Sequence, residues 1–138
     1  MGKECVLVSA SELAQGRTGI SYMAGISAAT TQAEGLCLQL ASLPPGRRSR
    51  AHQHDEHESA AYMLEGEMVM WFGDRLETRL VARPGDFVYI PKGVPHVVLN
   101  ESDTTHAIAV LARTDPNEQE VITELPELDA LELVAAEA

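Results

Sequence analysis

Between Gly35 and Leu111 the apolar residues recur with a period near two, and turn formers interrupt them at short intervals. Leu36, Leu38 and Leu40 alternate with Cys37, Gln39 and Ala41, the pattern of a strand with one buried face, and Pro44-Pro45-Gly46 ends it. Residues 62–64 and 68–72 read as strands with Glu65-Gly66 between them. Gly73-Asp74 is a glycine-first pair of the kind that two-residue hairpin turns favour, and the chain returns through Leu76 to Val81. Pro84-Gly85 turns it again into Phe87, Val88, Tyr89 and Ile90, a short apolar run that predicts a strand buried on both faces or nearly so. Pro91, Gly93 and Pro95 then make a corner that cannot be helical, because each proline lacks an amide donor and the glycine accepts positive φ. His96 opens the next strand, which runs to Asn100, and residues 106–111 supply one more. Strands this short, with turn signals between them, favour an all-β antiparallel barrel or sandwich over any βαβ arrangement.

The ends are weaker. Residues 1–34 hold Cys5-Val6-Leu7-Val8 and a passage with Gly16, Gly19 and Gly25, which reads as an arm with an edge strand or two. Residues 35–115 form the expected barrel core and 116–138 an acidic tail. In the tail Leu125, Leu128, Leu131 and Val134 have helical spacing, but Pro126 interrupts and acids at its end oppose the helix dipole, so a docked strap or frayed helix is expected there, without a functional role.

A chain of 138 residues is one ordinary domain. Its net charge of −11 argues against nucleic acid or an anionic membrane surface as a partner. The surplus is concentrated after Arg113, where Asp115, Glu118, Glu120, Glu124, Glu127, Asp129, Glu132 and Glu137 meet no Lys or Arg. Arg47, Arg48 and Arg50 are the only dense basic cluster, either a solvated start to a strand that balances nearby acids or a lip that steers an anionic substrate. Cys5 and Cys37 make no disulfide scaffold, and Cys37 reads as a buried thiol. Neither a secretory signal nor an apolar run near the about 20 residues needed to span a bilayer is visible, so a cytoplasmic location is the default expectation.

The chemistry lies in the histidines. His52 and His54 are two apart on a predicted strand, so both point to one face with Cα atoms roughly 6.6 Å apart and can converge on one ion at about 2.1 Å. The run from Gly85 through Pro91-x-Gly93 and His96 to Asn100 resembles the second motif of the cupin superfamily. Gly46, His52-Gln53-His54 and Tyr62-Met63-Leu64-Glu65-Gly66 resemble its first. The resemblance implies a single jelly-roll-like cupin barrel that holds one divalent transition metal ion (zinc, iron, manganese, nickel or copper), with His96 as a third ligand beside His52 and His54. It also implies a homodimer.

Cupins usually add a metal-binding Glu. Counted forward from His54, that position is Glu58; counted back from Gly66, it is Ser59. If the strand before Gly66 is regular, the inward set runs Met63, Ala61, Ser59 and, extended by two, His57, which is the expected fourth ligand; a one-residue bulge would hand the place to Glu58. Met63, Met68, Met70, Trp71, Phe87 and Tyr89 are candidate pocket residues, most of them plain core, and His106 is either a proton shuttle or a solvated residue. The resemblance extends to quercetin-type dioxygenases, sugar isomerases and cupin polyketide cyclases. It implies a metal-dependent enzyme for an oxygen-rich, aromatic or enolisable small-molecule substrate, with a non-catalytic binding or sensor protein as the alternative and a metal-free storage barrel as a third reading.

Overall fold

Alternation becomes two facing sheets in the computed structural model, which describes residues 4–9, 13–15, 19–117 and 121–133. Gly16, Glu118, Glu120, Val134 and Glu137 lie outside the described residues. In chain order the elements are β1 (Leu13–Gln15), β2 (Ser21–Ile26), α1 (Ala28–Thr31), β3 (Cys37–Leu43), β4 (His52–Gln53) and β5 (Ser59–Glu65). They continue with β6 (Met68–Phe72), β7 (Thr78–Ala82), β8 (Phe87–Ile90), β9 (His96–Leu99), β10 (Ala107–Arg113), β11 (Thr123–Glu124) and α2 (Pro126–Asp129). One sheet has the order β1-β2-β3-β10-β5-β8 and the other β11-β4-β9-β6-β7, every pairing antiparallel. This is the expected all-β jelly-roll-like sandwich. Among the described residues no helix is long and apolar enough to cross a membrane.

Ala41, Leu43, Met63, Met70, Ala107, Ala109 and Leu111 fill the space between the sheets. A second cluster, Ala51, Val69, Trp71, Leu76, Val97 and Leu128, covers the opposite face of the β4-β9-β6 region. Leu128 belongs to the tail, and Leu125, Leu131 and Leu133 pack against the same cluster. The helical spacing seen in the sequence thus marks a strap, most of it not helical, laid over Trp71. Arg48 pairs with Asp129 at 3.3 Å and Arg50 with Glu124 at 3.2 Å, so two of the three clustered arginines hold this strap. Both pairs are exposed enough to contribute little stability singly.

Two local expectations are corrected. Phe87 is 82 % and Tyr89 61 % exposed, so β8 is not buried on both faces; it is the edge strand of its sheet, and only Val88 and Ile90 face inward. The β6–β7 connection spans residues 73–77 rather than two residues, since Phe72 pairs with Thr78. Leu76 explains the longer loop: it is buried in the second cluster and takes φ +54, anchoring the connection instead of extending the strand.

Asn100 shows why the second motif closes on an asparagine. Its buried amide donates to the carbonyls of Leu43, at 3.0 Å, and Thr105, at 2.7 Å, while its side-chain oxygen accepts from the Ser102 amide at 3.0 Å. One side chain therefore ties the end of β9 to the end of β3 and to the loop before β10.

Candidate metal centre

His52 and His96 face each other across the β4–β9 pairing, and their ring centroids are 4.3 Å apart. His54 follows just beyond β4, with centroids 5.0 Å from His52 and 5.1 Å from His96. The Pro91–Pro95 corner fixes this approach directly, because the Gly93 amide donates to the His54 carbonyl at 2.7 Å with Gly93 at φ +73. All three rings are buried, and one nitrogen from each lies within 4.8 Å of the others. Nitrogens sharing one ion at about 2.1 Å sit about 3.0–3.4 Å apart, so the rings need only tilt toward a common point.

Hydrogen bonding fixes which nitrogen is available. His52 Nδ1 lies 2.6 Å from the Arg50 carbonyl and His96 Nδ1 3.0 Å from the Val94 carbonyl. A carbonyl only accepts, so each Nδ1 carries the proton and each Nε2 presents a lone pair. Burial lowers the His52 pKa, the Arg50 carbonyl partly opposing it. Burial, followed by the neighbouring rings of His96, His52 and His57 and the Arg113 cation, lowers that of His54 to about 2. Neutral imidazole is the metal-binding form, so the donor set fits a divalent first-row ion.

The same shifts predict acid sensitivity in the metal-free protein. A histidine whose folded pKa lies below its unfolded value of 6.5 contributes stability that is fully present above pH 6.5 and lost as pH falls toward about 2. The slope is about 1.4 kcal/mol per pH unit for each such group. Thermal unfolding of chelator-treated protein should show a falling Tm from about pH 6.5 downward; a flat Tm to pH 4 would contradict it.

The family model for the cupin domain matches residues 39–112, which include β4, β9 and all three rings. The chain belongs to the cupin family. Over 68 residues it is 38 % identical to quercetin 2,3-dioxygenase of Bacillus subtilis strain 168, a match of 49 % of this chain and 19 % of that protein, so this cupin spans a small part of that relative's length. It superposes on the polyketide cyclase RemF of Streptomyces resistomycificus with a TM-score of 0.68 and 21 % identity, covering 91 % of this chain and 86 % of that one. The TT1209 protein of Thermus thermophilus gives a TM-score of 0.56 and 28 % identity over 70 % of this chain and 83 % of that one.

In this cupin His57 is buried as its parity requires, with its ring 4.6 Å from that of His54 and its Nδ1 3.7 Å from Asp115 Oδ2. It is not one of the three residues whose donor atoms cluster. Glu58 turns the other way: its carboxylate accepts from the Tyr89 hydroxyl at 2.5 Å on the outer face, which raises the Tyr89 pKa. β5 is not regular up to Gly66: its register against β10 shifts at Leu64, where Ile108 pairs with Glu65 but Ala109 with Met63. The irregularity lies beyond Met63, so the alternation that places His57 is kept, with Ser59 and Met63 buried and Ala60 and Tyr62 exposed. His106 is exposed ahead of β10.

A cavity of about 70 Å³ opens from the three histidines into the space between the sheets. Met63, Met68, Met70, Val88, Ile90 and Leu111 are among its walls, whereas Trp71, Phe87 and Tyr89 are not. Two features escaped the sequence reading. Arg113 is buried at the inward end of β10, donating to Gln39 Oε1 at 3.0 Å and to the Asn117 carbonyl at 2.5 Å. The period-two set Ala107, Ala109, Leu111 and Arg113 was the signal for it. The tail also matters to the site: β11 pairs with β4, setting Glu124 opposite His52, and Asp129 Oδ1 accepts from the Ala51 amide at 2.8 Å. A segment expected to lack a functional role thus braces the strand that carries a candidate ligand.

Proposed function

We propose that this cupin is a metal-dependent enzyme for a small, largely apolar, aromatic or enolisable molecule, engaged through an oxygen atom. The observation that carries the reading is the pairing of His52, His54 and His96 with an apolar cavity whose described walls include no Asp, Glu, Lys or Arg. Such walls suit neither a sugar, which needs many hydrogen bonds, nor a dicarboxylate, which needs a cation. His52, His54 and His96 would hold the ion. A bound divalent ion supplies Lewis acidity toward the substrate oxygen and, in a redox-active case, a route to dioxygen chemistry. Three neutral imidazoles bring no negative charge, so the site favours a ligand whose own oxygen is anionic, an enolate or phenolate.

The apolar walls set the size limit. At about 70 Å³ the cavity is below the about 300 Å³ of common small-molecule pockets, and the methionines are the side chains able to swing and enlarge it. The test is turnover of acetylacetone and a flavonol panel by protein loaded in turn with zinc, manganese, iron, nickel and copper. The expected result is turnover with at least one ion and none after chelation. Binding without turnover for every ion would move the assignment to a binding or sensor protein, and no binding at all would end it.

A further inference from the structure

Ser59 is the first residue of β5, held between Ile90 of β8 on one side and Arg113 of β10 on the other. It is 3 % exposed, and its Oγ has no hydrogen-bond partner among the described residues. It lines the same cavity as His52, His54 and His96. A buried hydroxyl with no partner is costly, and alanine, which follows at positions 60 and 61, would avoid that cost in the same volume. Because Ser59 lines the cavity, an occupant there can supply the partner that its hydroxyl lacks. Tyr22 and the three imidazoles apart, the remaining cavity walls are apolar.

We propose that Ser59 is a specificity-determining residue whose hydroxyl donates a hydrogen bond to an oxygen of the bound ligand, an inference that rests on the enolate or phenolate reading of the same site. A serine hydroxyl both donates and accepts, so it serves water before the ligand arrives and the anionic oxygen afterwards. Donation to an anion is the stronger use. The imidazole Nε2 atoms of His52 and His96 are lone-pair donors to an ion and cannot supply this contact. Discrimination then follows from polarity, because a ligand lacking an acceptor would leave the hydroxyl buried and unpaired.

The experiment compares wild type, Ser59→Ala and Ser59→Thr, all loaded with zinc so that the probe is not oxidised, with acetylacetone binding followed by calorimetry. Zinc content and Tm are recorded for each. Ser59→Ala should bind acetylacetone about tenfold more weakly with zinc content unchanged and Tm equal or higher, and Ser59→Thr should stay within about threefold of wild type. Equal binding by wild type and Ser59→Ala would overturn the assignment while leaving the proposed function standing. Loss of zinc from Ser59→Ala would also overturn it, since the serine would then support the ion rather than the ligand. Failure of the zinc-loaded wild type to bind acetylacetone would instead count against the enolate reading itself.

Discussion

Replacing His96 with alanine should leave the protein unable to retain a divalent ion, with a loss of affinity of at least about 100-fold, because removing a ligand exceeds the about 10–100-fold cost of disturbing the groups that merely orient one. The remaining donors, His52 and His54, both come from the β4 segment, and only His96 bridges to them from β9. Losing it removes the second wall of the site. The fold should persist, since Val97, Val98 and Leu99 still pair β9 with β6. Elemental analysis after desalting should read close to one metal per wild-type chain and close to none for His96→Ala, with unchanged far-ultraviolet circular dichroism. His106→Ala, at an exposed position, is the control expected to keep its metal. Retention of a full equivalent by His96→Ala would remove the β9 contribution from the account.

Gly66→Ala should be the most destabilising of the conservative glycine changes at the motif ends. Gly66 has φ +67, and a Cβ there would meet the His106 carbonyl oxygen at 2.3 Å, Ala107 Cα at 3.0 Å and the His106 carbonyl carbon at 3.1 Å. All three are backbone atoms, and Ala107 is fully buried at the start of β10, so the obstacle cannot swing aside. The left-handed conformation alone costs an alanine about 1–2 kcal/mol, and displacing β10 brings the expected total to about 3 kcal/mol. For a domain of this size that corresponds to a fall in Tm of about 10 °C. Gly85 offers the comparison: it has φ +96, but a methyl group added there would meet nothing within 4 Å, so Gly85→Ala should cost only the conformational part. Equal effects of the two substitutions would show that the close approach to His106 is not what Gly66 accommodates.

These two residues mark what the sequence made legible. Gly66, Gly85 and Gly93 all take positive φ, and His52 and His54 share a face, because turn chemistry and strand parity are local and leave few options. The meeting of β4 with β9 is not local; it became readable only through two spaced motifs considered together. Parity also separated His57 from Glu58 correctly as to burial, but whether a buried ring joins the other three depends on an angle that spacing does not determine.

Other parts were unreadable for reasons of context. An edge strand with aromatic residues on its outer face has the same composition as a central one, so β8 looked buried while Phe87 and Tyr89 face outward. Leu76 broke the hairpin expectation because its partners, Trp71 and Val97 among them, lie on an outer sheet face that one-strand patterning cannot reveal. The acidic tail reads as peripheral by charge, yet Leu125 and Leu128 cover that face and β11 extends the sheet at β4. Arg113 was obscured by residue type, since an arginine in register with inward-facing Ala109 and Leu111 is easily taken for the end of a strand.

The most direct test of the central claim is anomalous diffraction from crystals soaked in a zinc salt, with data collected on both sides of the zinc absorption edge. The account predicts one strong peak at the mouth of the cavity, within about 2.1 Å of the Nε2 atoms of His52 and His96 and of a ring nitrogen of His54, and the same map shows whether His57 reaches it. A cavity without a peak, with the three rings turned away from one another, would contradict it.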